Sequence, residues 1–125
     1  MVRDAYDVAF AQGNVEGVLH RFAPDFTWHQ RDEWPGRPTY GASEMPRLWA
    51  DLDETYPDIN LTPVEFVDAG DYVVVTVETS SRLRGSDTRI EAKIWHVWHL
   101  RGGLALEGWA YGTRQQAAQT AGLPE

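Results

Sequence analysis

The sequence predicts an α+β fold in which helices come first and an antiparallel sheet follows, one face of the sheet lying against the helices. Three observations carry this expectation. Up to about Tyr56 the apolar residues recur at helical spacing in three stretches, with one short alternating stretch among them. From Asn60 onward the period changes to two, in runs broken by Gly70, Gly85 and Gly102-Gly103. After Gly112, the string Thr113-Arg114-Gln115-Gln116 has the capping-box pattern that opens a helix.

The elements follow in order. Val2, Tyr6, Ala9 and Phe10 make one apolar stripe over residues 2–12, which Gly13 ends. Asn14 is a good N-cap for a second helix from Val15 to about Phe22. Ala23-Pro24-Asp25 reads as a turn, and Phe26 to Gln30 as a short strand with Phe26, Trp28 and Gln30 on one face. Arg31 to Thr39 is polar and holds two prolines, which predicts a loop suited to the rim of a pocket. Ser43 opens a third helix with Pro46 in its first turn, and Leu48, Trp49, Leu52 and Tyr56 form its apolar side. Strands are then predicted over Leu61–Val67, Tyr72–Leu83, Arg89–Leu100 and from Leu104 to about Gly112. A short helix ending at Gly122 closes the chain.

At 125 residues the chain is expected to be one domain, 1–125. Its net charge of −8, without runs of Lys or Arg, argues against nucleic acid or an anionic membrane surface as a partner. The absence of cysteine excludes disulfides, thiolate zinc sites and thiol catalysis. No stretch is apolar enough for a signal peptide or a membrane span, so a cytoplasmic location is the expectation. Trp28, Trp49, Tyr56, Phe66, Trp98 and Trp109 together are more bulk than a core of this size usually holds, which suggests that some of them line a cavity.

The sharpest feature lies in RIEAKIWHVWHLRGGLALEGWAYG, residues 89–112. Ile90, Ala92, Ile94, Trp98 and Leu100 share one strand face, and His96 shares it with them. Two readings stand side by side: a core histidine satisfied by its neighbours, or a polar group projecting into a ligand cavity. Desolvation there would keep the imidazole neutral, able to exchange a proton with carbon next to a carbonyl. A tyrosine hydroxyl such as that of Tyr6 could stabilise the resulting oxyanion. Tyr6 could equally be a half-buried helix tyrosine. The spacing of His96 and His99 is that of a metal pair, but residues three apart on a strand point to opposite faces. His29, Asp32 and Glu33 could form an acid/base pair or a weak metal site at the pocket mouth, though solvation is the simpler reading. No metal site is expected.

The strings GNVEGVLHRFAPDFTWH, TYGASEMPRLW, FVDAGDYVVV, IWHVWHLRGG and WAYGTRQQAAQTAGL resemble the SnoaL-like families. These belong to the superfamily with the nuclear-transport-factor-two fold, which also includes ketosteroid isomerases and scytalone dehydratase. The resemblance covers nearly the whole chain. It implies a cone-shaped curved antiparallel sheet wrapped over three N-terminal helices, with a short C-terminal helix, one deep apolar pocket and often a homodimer formed through the sheet. Tyr6 falls where ketosteroid isomerases keep a cavity tyrosine that donates to the substrate oxygen. Gln30 falls where they keep a general-base aspartate, and an amide cannot take that role. Their second acid maps to Trp95 or, with a turn one residue shorter, to His96; strand alternation favours His96. SnoaL-type cyclases keep an aspartate after a tryptophan in the last strand, but here Trp109 is followed by Ala110, Tyr111 and Gly112.

The expectation is therefore a pocket for a small hydrophobic, cyclic molecule. In it a cofactor-independent isomerase, cyclase or dehydratase would use His96 as acid/base, Tyr6 as oxyanion donor and Gln30 as positioning group. The expected cavity wall is Phe10, Trp28, Trp49, Leu52, Tyr56, Phe66, Val75, Val77, Trp98 and Trp109. The alternatives are a non-catalytic ligand-binding protein and a dimeric interaction domain.

Overall fold

A computed structural model describes residues 2–6, 16–31, 34, 36–82 and 85–124. The strands are β1 (Phe22–His29), β2 (Thr39–Gly41), β3 (Asn60–Ala69), β4 (Tyr72–Arg82), β5 (Arg89–Arg101) and β6 (Leu104–Tyr111). The α-helices are α1 (Val2–Tyr6), α2 (Met45–Thr55) and α3 (Arg114–Ala121). The strands form one sheet in the order β2-β1-β6-β5-β4-β3.

Two parts of the expected architecture need correction. The sheet is mixed rather than antiparallel, because β1 pairs in parallel with β6. Neighbours in sequence join by tight turns and so run antiparallel, but β1 and β6 lie far apart in the chain, and local pattern says nothing of their relative direction. Nor do three N-terminal helices stand. The described part of the first segment is the five residues Val2–Tyr6, and the second is a 3-10 helix, Glu16–Arg21. The third is the longest helix among the described residues: α2, with a 3-10 lead-in at Ala42–Glu44.

The second segment ends early because Phe22 already belongs to β1, and Pro24 sits inside a strand rather than in a turn. Proline lacks an N–H, and it falls where the β1–β6 register is interrupted, between Phe22 and Thr27. Strand β2 is only three residues long, too short for any periodic signal; it pairs with Thr27–His29.

The β5–β6 connection follows the expected turn. Gly102 and Gly103 have φ of 58° and 82°, values that a two-residue hairpin turn of the primed type requires and that glycine adopts without strain. Beyond it, Leu100 pairs with Ala105 but His99 pairs with Glu107, so Leu106 is an extra residue on β6. That bulge changes the parity of β6. Ala105, Gly108 and Ala110 consequently all stand opposite the inward series Leu100, Trp98 and His96.

The two faces of the sheet bury different clusters. On the inner face, Phe26, Trp28, Tyr40, Leu48, Ala105 and Ala110 form one core, and Tyr6, Val73, Val75 and Val77 another. On the outer face, Val74 and Val97 pack against Ala117 and Ala121 of α3, with Trp95, Trp109 and Tyr111 around them. Thr113 caps α3 by accepting from the Gln116 N–H at 3.2 Å, and Gly122, at φ 74°, ends it.

Candidate functional site

A cavity of about 350 Å³ lies between the inner face of the sheet and the helices. The whole expected series on β5 lines it: Ile90, Ala92, Ile94, His96, Trp98 and Leu100. Exposure falls along that series, from Ile90 at 42% to His96 at 6%. The cavity thus opens near Ile90, and His96 is the most buried point of the β5 wall, with half-buried Trp98 and Leu100 continuing the lining beyond it.

His96 is held by a chain of hydrogen bonds. The Trp98 indole Nε1–H donates to the Tyr6 hydroxyl at 2.9 Å, and that hydroxyl shares a hydrogen bond with His96 Nδ1 at 2.5 Å. Three different elements supply the surroundings. Helix α1 carries Tyr6, β5 carries His96 and Trp98 two residues apart on one face, and β1 brings Trp28 edge-on to the imidazole at 5.1 Å. Gly108 lets Trp28 lie there: a Cβ on Gly108 would sit 2.6 Å from the indole Cε3. Only glycine fits.

Burial sets the protonation states. Removal from water pushes the Tyr6 hydroxyl well above the usual tyrosine range, with the hydrogen bond from Trp98 opposing. Desolvation, with a smaller contribution from the positive charge of Arg31, pushes His96 down to about 3. At neutral pH both groups are uncharged. The two tautomers of His96 differ in which partner donates. With the proton on Nδ1, the ring donates to the Tyr6 oxygen and the imidazole lone pair lies on Nε2; with the proton on Nε2, the Tyr6 O–H donates to Nδ1.

Of the other residues expected in the site, Gln30, Trp28, Trp49, Leu52, Tyr56 and Trp98 line the cavity. Gln30 folds its side-chain oxygen onto the Arg31 N–H at 3.4 Å. Phe66, Val75, Val77 and Trp109 are not among the lining residues. Val75 and Val77 are fully buried and Tyr6 packs against them, while Phe66 packs edge-on to Tyr6 at 5.8 Å. Trp109 points to the outer face, because the bulge at Leu106 turns Gly108 and Ala110 inward instead; it stacks there on His29 at 5.5 Å. Phe10 lies outside the described residues, as do Asp32 and Glu33. His29 is tied to Glu107 at 2.5 Å on the outer face. His99 stacks on Tyr72 at 4.7 Å, on the opposite side of the sheet from His96.

Pattern reading missed Arg21, Arg31 and Trp34, all of which line the cavity. Trp34 belongs to the stretch read as a polar loop, yet it is buried, donating its Nε1–H to the Tyr40 hydroxyl at 3.2 Å. Tyr40 in turn donates to Asp51 on α2 at 2.8 Å. A lone tryptophan in a polar stretch was the available signal.

The sequence profile of the SnoaL-like domain matches residues 2–108. The chain belongs to the SnoaL-like domain family. Solved structures of this fold agree along nearly its whole length. A nuclear-transport-factor-two-like protein of unknown function from Burkholderia pseudomallei is 24% identical, covering 94% of this chain and 92% of its own, with a TM-score of 0.77. TerC, crystallised with polyporic acid, is 24% identical, covering 94% and 93%, with a TM-score of 0.74. IdmH from Streptomyces antibioticus, described as a candidate polyketide cyclase, is 17% identical, covering 96% and 95%, with a TM-score of 0.73. At these identities the likeness shows the fold alone. No functionally curated protein matches the sequence.

Proposed function

We propose that this SnoaL-like chain binds a small, mostly hydrophobic cyclic molecule in its cone-like cavity and rearranges it by acid–base chemistry, as an isomerase, cyclase or dehydratase that needs no cofactor. The observation that carries the reading is the Tyr6–His96 hydrogen bond, buried on the wall of an apolar cavity. His96 acts as acid/base and Tyr6 as the oxyanion donor, with Gln30 positioning the ligand near them. In the step so assigned, Nε2 takes a proton from carbon next to a carbonyl. The Tyr6 O–H then donates to the enolate oxygen, and Nε2 returns the proton elsewhere on the ligand. A ring whose pKa is held near 3 is a weak base on its own. The oxyanion that forms beside it supplies the opposite charge that raises its proton affinity as the reaction proceeds.

That same low basicity favours the second reading, a pocket that holds its ligand without turning it over. Two measurements separate them. A thermal-shift screen against steroids, polyketides, terpenes and aromatic acids identifies ligands, since a molecule that binds only the folded state raises the midpoint. His96→Ala is then expected to bind such a ligand within a few-fold of wild type while turnover falls by about 10²–10⁴. Unchanged turnover in that variant would rule out the catalytic role of His96. The homodimer implied by the resemblance has its support in the half-buried aromatic residues Tyr72, His99 and Trp109 of the outer face; sedimentation velocity tests it.

A further inference from the structure

The serine and threonine hydroxyls of β4 differ in how they are satisfied. Thr76 donates to Glu65 at 3.4 Å, Thr79 donates to the Ala92 carbonyl at 3.3 Å, and Ser80 accepts from Arg89 at 2.7 Å. Ser81 makes no hydrogen bond among the described residues. Yet Ser81 is buried, at 6% exposure, and it lines the cavity from the strand face that carries Val75 and Val77. A buried hydroxyl without a protein partner is a cost to the fold. A molecule that enters the cavity with an oxygen at that level removes it.

The register sets the distance from this hydroxyl to His96. Val75 pairs with His96, Val77 with Ile94, Thr79 with Ala92 and Ser81 with Ile90. Between His96 and the level of Ser81, the β5 wall is therefore Ile94 and Ala92. Leu61 lines the cavity from β3 opposite Thr79, and Ile59 stands beside Ser81, one residue before the Asn60–Ser80 pair. The Arg82 N–H donates to the Pro57 carbonyl at 2.8 Å, which ties this end of β4 to the segment after α2. From Ile90 to His96 the strand advances about 20 Å if straight, and less on a curved sheet. With the reach of two side chains and a hydrogen bond at each end, two anchored ligand oxygens would lie roughly 10–15 Å apart.

We infer that the ligand is an elongated, mostly apolar molecule with oxygen at two separated positions: a carbonyl beside Tyr6 and His96, and a hydroxyl or second carbonyl bonded to Ser81 Oγ near the opening. This rests on the reading of the cavity as a site for acid–base chemistry and adds what sets the ligand's length and orientation. Ser81 is a binding residue and takes no part in proton transfer.

The test uses aromatic ketones of two lengths, 4-acetylbiphenyl and 4-acetyl-p-terphenyl, each with and without a hydroxyl at the far para position. Titrated against wild type and Ser81→Ala, each pair forms a cycle that removes the ligand hydroxyl, the protein hydroxyl or both. At the length that fits, Ser81→Ala is expected to bind the hydroxyketone about 3- to 10-fold more weakly, and its parent ketone within about twofold of wild type. Without ligand, Ser81→Ala should melt at or above the wild-type temperature, because it loses only an unbonded hydroxyl. A melting point lowered by more than a few degrees would show that Ser81 serves the fold and would overturn the inference. Binding with no hydroxyl-dependent loss at either length would overturn the two-ended ligand while leaving the cavity a ligand site. Binding of none of the four ketones would overturn the ligand-site reading and this inference with it.

Discussion

The inner and outer faces of the sheet use the same residue types to different ends. Inside, His96 meets Tyr6 and Trp98, and outside, His29 meets Glu107 and Trp109. The inner pair is sealed from water and both partners are neutral, so each hydrogen bond is hard to replace. The outer pair is part-exposed, its side chains 34% and 39% accessible, and water can take the place of either partner. Aromatic and imidazole content alone therefore does not mark a reactive site. What marks it is a hydrogen-bonded chain removed from solvent on the wall of an open space.

The largest effect on this contrast is expected from Tyr6→Phe. It leaves Trp98 Nε1 and His96 Nδ1 without their shared partner, and two buried orphans cost roughly 2–4 kcal/mol by urea denaturation. A loss below about 0.5 kcal/mol would mean that water replaces the hydroxyl, and the inner face would then behave like the outer one. Next is Gly108→Ala, where the added methyl displaces the Trp28 ring; overpacking of this kind costs about 1–3 kcal/mol. Quenched or shifted tryptophan fluorescence should accompany it.

The pH dependence comes third. His96 is depressed to about 3 in the folded chain against an ordinary 6.5, so below about 6.5 the unfolded chain binds a proton that the folded chain refuses. Stability is unaffected by His96 above that value and falls as pH drops toward 3. Between pH 7.5 and 5.5 the loss is on the order of 1 kcal/mol. His96→Phe should lack that component, and a variant with the wild-type slope would show that His96 is protonated in the fold. The smallest effect is expected on the outer face. His29→Gln or Glu107→Gln should change stability by less than about 1 kcal/mol, and the change should shrink further in salt.

How much of this was legible beforehand depended on whether a feature is local. The inward series from Ile90 to Leu100 followed from alternation alone, and it carried His96 to the cavity wall. The turn at Gly102-Gly103 and the caps of α3 were likewise local chemistry. The parallel pairing of β1 with β6 was not, because it joins distant segments. Trp109 faces outward rather than into the cavity because the bulged residue Leu106 reverses parity; Gly108 hints at a bulge in that strand but does not say which face the bulge leaves to Trp109. Arg31 was passed over for a related reason. An arginine in a polar stretch reads as solvated, and only the β1–β6 register brings it to the level of His96.

The bulge at Leu106 has a consequence for how such a pocket could change. It aligns Ala105, Gly108 and Ala110 on the inner side of β6, directly across from the bulky series on β5. Small side chains on one strand and proton-handling ones on the next separate capacity from chemistry. Methyl groups added or removed along β6 would resize the space available to a ligand, while the Tyr6–His96–Trp98 chain kept its atoms in place. A scaffold divided in this way can be handed a new substrate without relearning how to move a proton.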